Sequence, residues 1–266
     1  MMRAPALFLP HGGGPLPLLG DPSHAPLTRF LSTQVPKMLN QPKAIVLVTA
    51  HWETSNPTIS SADRHNLYFD YYGFPAESYK YTYLAPGHPG VARQVFDLLK
   101  QSGFSPQLDE KRGWDHGTFV PMKLVAPEAQ IPIVQLSVLS SQDPALHIKM
   151  GQALEPLRDE GVAIIGSGMS FHNMQLFFAG PRSGGKVYGE EFDTALTEAC
   201  TSDSREQREK KLVDWANMPR ARESHPVRRA EHLMPLLVVA GAGGNDKGKK
   251  IFESDMMNSR ISGFLW

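Results

Sequence analysis

Ten histidines in 266 residues are a modest excess, and their positions say more than their number. His11, His51, His116, His172 and His232 each stand in a loop-like segment or at a helix start, beside Gly, Trp, Asp, Asn or Glu. Neutral imidazole is the commonest side-chain ligand of transition metals, and histidines delivered by several strand ends can meet at one ion. Taken singly, each is more simply a capping or surface residue; the case for a site rests on their being several. His24, His65, His88 and His147 lie in polar, turn-like surroundings without a second chemical partner and read as structural. His225-Pro226, seven residues before His232, is left outside the expected site.

Two other chemistries fail on spacing. His11-Gly12-Gly13-Gly14 could furnish the oxyanion hole of a lipase-type hydrolase, but that fold needs a G-x-S-x-G elbow. The nearest candidate, Gly166-Ser167-Gly168-Met169-Ser170, puts serine at its second and fifth positions. Neither G-x-G-x-x-G nor G-K-[ST] occurs, so nucleotide binding has no support.

Composition excludes more. Lys+Arg and Asp+Glu both number 27, which leaves no basic surplus for nucleic acid or an anionic membrane. The single cysteine, Cys200, excludes an internal disulfide and a thiolate zinc knuckle. The longest apolar stretch, Leu236–Ala242, is far below the roughly 20 residues of a membrane span, and the start of the chain is too short for a secretory apolar region. The expectation is a soluble, reduced, cytoplasmic protein without nucleic-acid or membrane partners, with self-association into a homo-oligomer left open.

The histidines must be held by elements that the pattern outlines. Ala6–Leu9, Ala44–Thr49, Ile131–Leu139 and Val162–Ile165 are aliphatic runs of the kind buried parallel strands show, and Ile261–Trp266 is a terminal strand. Val91–Gln101, closed by Gly103, Leu146–Leu157, closed by Gly161, Glu190–Cys200 and Ala230–Val239 read as helices. Thr201–Lys211 is a charged helix or excursion, and Gly241–Lys250 a mobile surface loop. Alternating strands and helices predict a single α/β domain spanning residues 1–266, its central sheet mixed and largely parallel and flanked by helices. In such sheets ligands bind at the carboxyl ends of the strands, which is where the first two histidines and, after Gly166-Ser167-Gly168, His172 stand.

These pieces, in order, resemble the class III extradiol ring-cleavage dioxygenases, the LigB-like family, with the DOPA 4,5-dioxygenase branch most similar. The resemblance is carried by His11-Gly12, Thr49-Ala50-His51-Trp52, Tyr72-Gly73-Phe74-Pro75, Gly113-Trp114-Asp115-His116-Gly117, Gly166-Ser167-Gly168 with His172-Asn173, and Glu231-His232-Leu233-Met234-Pro235-Leu236. It implies that His11, His51 and His232 are metal ligands, with Glu231 an alternative to His232. It further implies that His172 either completes the metal shell or serves as acid–base catalyst, and that His116 hydrogen-bonds substrate or bound oxygen.

The implied chemistry is ring opening of a catechol such as L-DOPA by O₂ on non-haem Fe(II), with Zn able to occupy the same site, giving a muconic semialdehyde. Adjacent helix residues point about 100° apart, so of Glu231 and His232 only one need face the ion. The aromatic run Tyr68, Phe69, Tyr71, Tyr72, Phe74, Tyr79, Tyr81 and Tyr83 is either a loop packed by its own side chains or a pocket wall. Arg182 and Lys186 read first as surface basics and, as the alternative, as partners of a substrate carboxylate. Two rival functions stand beside the dioxygenase: a zinc-dependent hydrolase using the same histidines, and a binding protein that keeps the fold without catalysis.

Overall fold

The structure is a computed structural model that describes residues 3–178 and 187–266; Arg182 and Lys186 lie outside the described residues. In chain order the elements are β1 (Ala6–Pro10), α1 (Ala25–Thr33), α2 (Val35–Leu39), β2 (Ala44–Thr54), β3 (Thr58–Ser60), α3 (Pro89–Gln101), β4 (Gln107–Asp109), α4 (His116–Val125) and β5 (Ile133–Leu139). They continue with α5 (Pro144–Asp159), β6 (Val162–Gly168), α6 (Met174–Phe177), α7 (Glu190–Cys200), α8 (Arg205–Val213), α9 (Ala221–Ser224), α10 (Met234–Ala242), β7 (Lys249–Met256) and β8 (Ser259–Leu265).

The strands form one sheet in the order β4-β3-β5-β2-β6-β1-β8-β7. Its centre, β5-β2-β6-β1, is parallel, and the β7–β8 hairpin joins β1 antiparallel. This is the mixed, largely parallel sheet expected from the alternating pattern. The central strands are apolar on both faces because both faces are covered. Along β1, Ala6 and Phe8 enter one core layer while Leu7 and Leu9 enter the other; β2 splits Val46 and Val48 from Ile45 and Leu47 in the same way. The first layer is closed by α3, α5, α7 and α10, the second by α1, α2 and α4.

Among the local outcomes that differ from the sequence expectation, three shape the site. β2 does not stop at Thr49. Its ladder with β5 pairs Thr49 with Ser137 and resumes at Glu53 and Val138, so Ala50, His51 and Trp52 bulge within the strand rather than follow it as a loop. A bulge re-aims side chains, here that of His51. β6 likewise runs through Gly166-Ser167-Gly168. A Cβ on Gly168 would lie 2.2 Å from the His232 carbonyl oxygen, so glycine is what lets the segment entering α10 close on the sheet.

The helix expected over Ala230–Val239 begins at Met234, because Pro235 belongs in a helix's first turn and would break one begun at Ala230. Glu231 and His232 therefore precede the helix, and the angular argument between them does not apply. Finally, Gly241–Gly244 is buried rather than a mobile surface loop. Arg158 donates to the carbonyls of Ala242 and Gly243, and Arg208 to those of Gly244 and Asp246. Among the described residues no helix is long and apolar enough to cross a membrane.

Candidate metal centre and active site

His11 follows β1, His51 sits in the β2 bulge, and His116 opens α4 behind its N-cap Asp115. His172 follows β6 and His232 precedes α10. The chain thus gathers all five expected histidines at the carboxyl ends of the parallel strands, around one cavity of about 430 Å³. The backbone N–H of Met169 donates to the His232 carbonyl, which ties the end of β6 to the segment entering α10.

Hydrogen bonds fix which ring nitrogens face inward. The Ser167 hydroxyl donates to the Gly117 carbonyl, so its lone pair accepts from His11 Nδ1–H at 3.0 Å and leaves His11 Nε2 as a bare acceptor. His232 Nδ1–H donates to Glu231 Oε1 at 2.9 Å, and His51 Nδ1 faces Asp70 Oδ2 at 3.5 Å. The Nε2 atoms then meet: His11 to His51 at 3.1 Å, and His51 to His232 at 3.2 Å. With Nδ1 of His11 and of His232 hydrogen-bonded to oxygens, their Nε2 lone pairs both meet His51 Nε2, so a proton or a metal ion must lie among the three nitrogens. Two nitrogens about 2.0–2.1 Å from one tetrahedral ion lie about 3.3–3.4 Å apart, and somewhat closer around an octahedral one. The residues present fit a metal ion; of the two adjacent candidates, His232 turns its Nε2 toward His51, while Glu231 holds the His232 ring from behind.

Electrostatics agree. Burial, followed by the proximity of the other rings, pushes His11, His51 and His232 well below the usual histidine range, so all three rings are neutral at physiological pH, the form in which imidazole can bind a metal. His172 stacks on His232, with ring centroids 3.5 Å apart and planes 12° apart. Lone pairs lie in the ring plane, so two stacked parallel rings keep theirs in separate parallel planes rather than directing them at one point. Burial, with His225 and His116 adding to it, pushes His172 down to about 3, which leaves its ring unprotonated.

Two supporting residues, Asp70 and Arg112, were not singled out by sequence reasoning. Asp70 is the central one. It accepts from His116 Nδ1 at 2.8 Å and from the His116 backbone N–H at 2.9 Å, and its other oxygen faces His51. Burial alone would raise its pKa, but the His116 hydrogen bond and the neighbouring rings hold it at about 2. Its signal was an acid inside the run Tyr68–Phe74, surrounded by aromatics that an exposed loop would not need. Asp115 accepts from Thr49 Oγ1 at 2.8 Å and from Arg112 at 3.1 Å, while the same Arg112 nitrogen donates to the His51 carbonyl at 3.0 Å. Such partners orient ligands and fix their tautomers.

Of the aromatic run, Tyr71, Tyr72 and Phe74 line the cavity. Tyr68 lies under the Arg112 guanidinium, and Phe69 and Tyr79 pack behind Tyr71. Of the other histidines, His88 caps α3, whereas His24, His65 and His147 are buried rather than on the surface. His24 accepts from the Gly13 N–H at 3.0 Å and donates to Asp21, pinning the glycine loop after His11. That loop needs Gly12, whose φ is +80° and whose Cβ would sit 2.8 Å from the His24 ring. His225 is buried away from the cavity and donates to the Ser170 carbonyl.

Comparison with known proteins points the same way. Residues 6–264 match the family model described as the catalytic LigB subunit of aromatic ring-opening dioxygenase. The chain is 42% identical over its whole length to dioxygenase tasH of Hapsidospora irregularis, covering 86% of that protein. It is 41% identical over 93% of its length to a 4,5-DOPA dioxygenase extradiol of Beta vulgaris, covering 90% of it. A crystal structure of an uncharacterized protein from Escherichia coli K12 superposes with a TM-score of 0.75 at 30% identity, covering 99% of each chain. These matches favour neither the zinc hydrolase nor the non-catalytic binder. The chain belongs to the catalytic LigB family of aromatic ring-opening dioxygenases and is an extradiol ring-cleaving enzyme.

Proposed function

We propose that the chain holds one Fe(II) ion through His11, His51 and His232 and opens the ring of a catechol beside its two hydroxyls, both atoms of O₂ entering a muconic semialdehyde. The observation that carries the reading is the meeting of three imidazole Nε2 atoms, with Nδ1 of His11 and of His232 hydrogen-bonded to an oxygen and Nδ1 of His51 facing Asp70. Names of relatives support the substrate class, and L-DOPA is the reference compound. Zn would bind the same nitrogens but supplies no redox access to O₂. When bound, the iron supplies Lewis acidity toward a catechol hydroxyl and electrons that O₂ can engage.

The chain's own residues do the rest. His172, by its place in the cavity wall beside His232, is the group that accepts the second catechol proton and later returns it. In this reading it is the acid–base catalyst and not a ligand, because its ring lies flat on that of His232. His116, with Nδ1 committed to Asp70, presents Nε2 as a hydrogen-bonding group for substrate or oxygen. The apolar remainder of the cavity limits water around the reacting groups.

The test is oxygen uptake with a visible spectrum, after anaerobic loading with Fe(II) and addition of L-DOPA and simple catechols in aerated buffer. Stoichiometric O₂ consumption with a new yellow semialdehyde band is expected. No uptake with any catechol, at confirmed iron occupancy, overturns the proposal.

A further inference from the structure

The wall around the histidines is unlike a site for an amino acid. Among the described residues lining the cavity, the ionisable side chains are the histidines themselves, Tyr71 and Tyr72; Lys, Arg, Asp and Glu are absent. Leu16, Phe74, Met169, Phe177 and Met257 form the apolar surface. Three methionines, Met169, Met174 and Met257, give it a polarizable lining that adapts to irregular apolar shapes.

The mouth continues the pattern. Tyr72 is 91% exposed, Phe178 77% and Met174 48%, and all three border this cavity. Contiguous exposed apolar groups on a soluble protein mark a binding surface. The nearest charges behind the histidines are acids, Asp70 on the His51–His116 side and Glu231 on the His232–His172 side. Arg112, the cation at hand, is bound to Asp115 and the His51 carbonyl and does not line the cavity. Arg229 acts on His172 through space and likewise does not line it. Among the described residues a substrate carboxylate would lose its hydration here, gain no cation and face two carboxylates, whereas an alkyl substituent would bury apolar area.

We propose that this cavity selects catechols bearing an uncharged apolar substituent on the ring over catechols bearing a carboxylate or an amino-acid side chain. The inference rests on the catechol-cleaving function above and names the substrate class that function serves.

The test compares 4-propylcatechol with 3-(3,4-dihydroxyphenyl)propionate and L-DOPA on the iron-loaded enzyme at pH 7.5. kcat/KM for 4-propylcatechol is expected to exceed both by at least tenfold. Anaerobic titrations followed by intrinsic fluorescence should give the same order of Kd. Met174→Arg, a change at a half-exposed rim position, should shrink the ratio between the alkyl and carboxylate compounds several-fold.

Equal or higher kcat/KM and affinity for the carboxylate compounds overturn the inference while leaving ring cleavage intact. A carboxylate preference that disappears in Arg182→Ala/Lys186→Ala also overturns it and assigns recognition to those two residues. Absence of turnover with every compound would instead fail the catechol-cleaving function, and the anaerobic Kd order would still decide the selectivity.

Discussion

The two ends of the sheet bury polar groups in opposite ways. At the amino ends of β1, β2 and β6 lies the larger cavity, about 830 Å³, edged by Arg3, Lys43 and Arg158. Arg158, 2% exposed, is satisfied throughout: it donates to the carbonyls of Ala4, Ala242, Gly243 and Trp266 and to Asp246. At the carboxyl ends, the outward nitrogens of His11 and His232 are hydrogen-bonded, that of His51 faces Asp70, and the inward nitrogens of all three confront each other. A buried polar cluster whose partners are all internal is a brace. One whose lone pairs converge on a shared point is built for something that is not protein. Cavity size does not separate Arg158 from the three histidines; what does is that every Arg158 donor has a protein acceptor.

The strongest way to break this contrast is to remove a converging nitrogen. His51→Ala and His11→Ala should each lose most of the bound metal and at least about a thousandfold in kcat, roughly 4 kcal/mol of transition-state stabilisation. Metal analysis and oxygen uptake on the purified variants check this. Full metal retention in both would mean that the convergence has no ligand function.

At the other end, Arg158→Met should cost about 3 kcal/mol of stability, because four buried carbonyls and Asp246 lose a donor. Metal content and KM should stay unchanged. Chemical denaturation together with metal analysis would show whether stability and metal content separate as the contrast requires; loss of metal from folded Arg158→Met would contradict it.

Asp70→Asn sharpens the comparison, since it removes no ligand and only loosens what holds His116 and His51. Changes at such orienting partners typically cost about 10–100-fold in activity or metal affinity. The expected result is a fall in kcat within that range with an unaltered thermal transition. A variant with wild-type turnover would deny Asp70 a positioning role.

Much of the architecture was legible because strand faces and helix stripes have periods that hydrophobic residues must follow. The parallel core and α7 appear where the pattern put them, and α3 extends two residues earlier than expected. What stayed hidden depends on through-space partners. Nothing local in Thr49–Trp52 announces a bulge, since it is defined by register against β5. The choice between Glu231 and His232 turned on where α10 begins, which Pro235 does signal, and on His51 being across the cavity, which no local pattern signals. Asp70 belongs to the site only because α4 brings His116 to it from 46 residues away.

His147 offers the smallest and cleanest test, because it stands at the same end of the sheet as the metal centre yet belongs to the satisfied class. Its Nδ1–H donates to the Asp143 carbonyl at 2.7 Å and its Nε2 accepts from the Leu139 N–H at 2.9 Å, which locks one neutral tautomer between α5 and β5. Burial pushes its pKa down to about 4. In the unfolded chain it titrates near 6.5, so as pH falls the unfolded state takes up the proton first. The neutral ring's contribution is complete above pH 6.5 and is lost as pH drops toward 4, at about 1.4 kcal/mol per pH unit. His147→Gln, which keeps a donor and an acceptor but does not titrate, should flatten the denaturation free energy against pH by that slope between pH 6 and 4.5. The wild-type slope persisting in the variant would show that His147 is not held neutral by the fold. A flattened slope with unchanged metal content would establish that position at the carboxyl end does not make a histidine part of the site; what does is an inward nitrogen left without a protein partner.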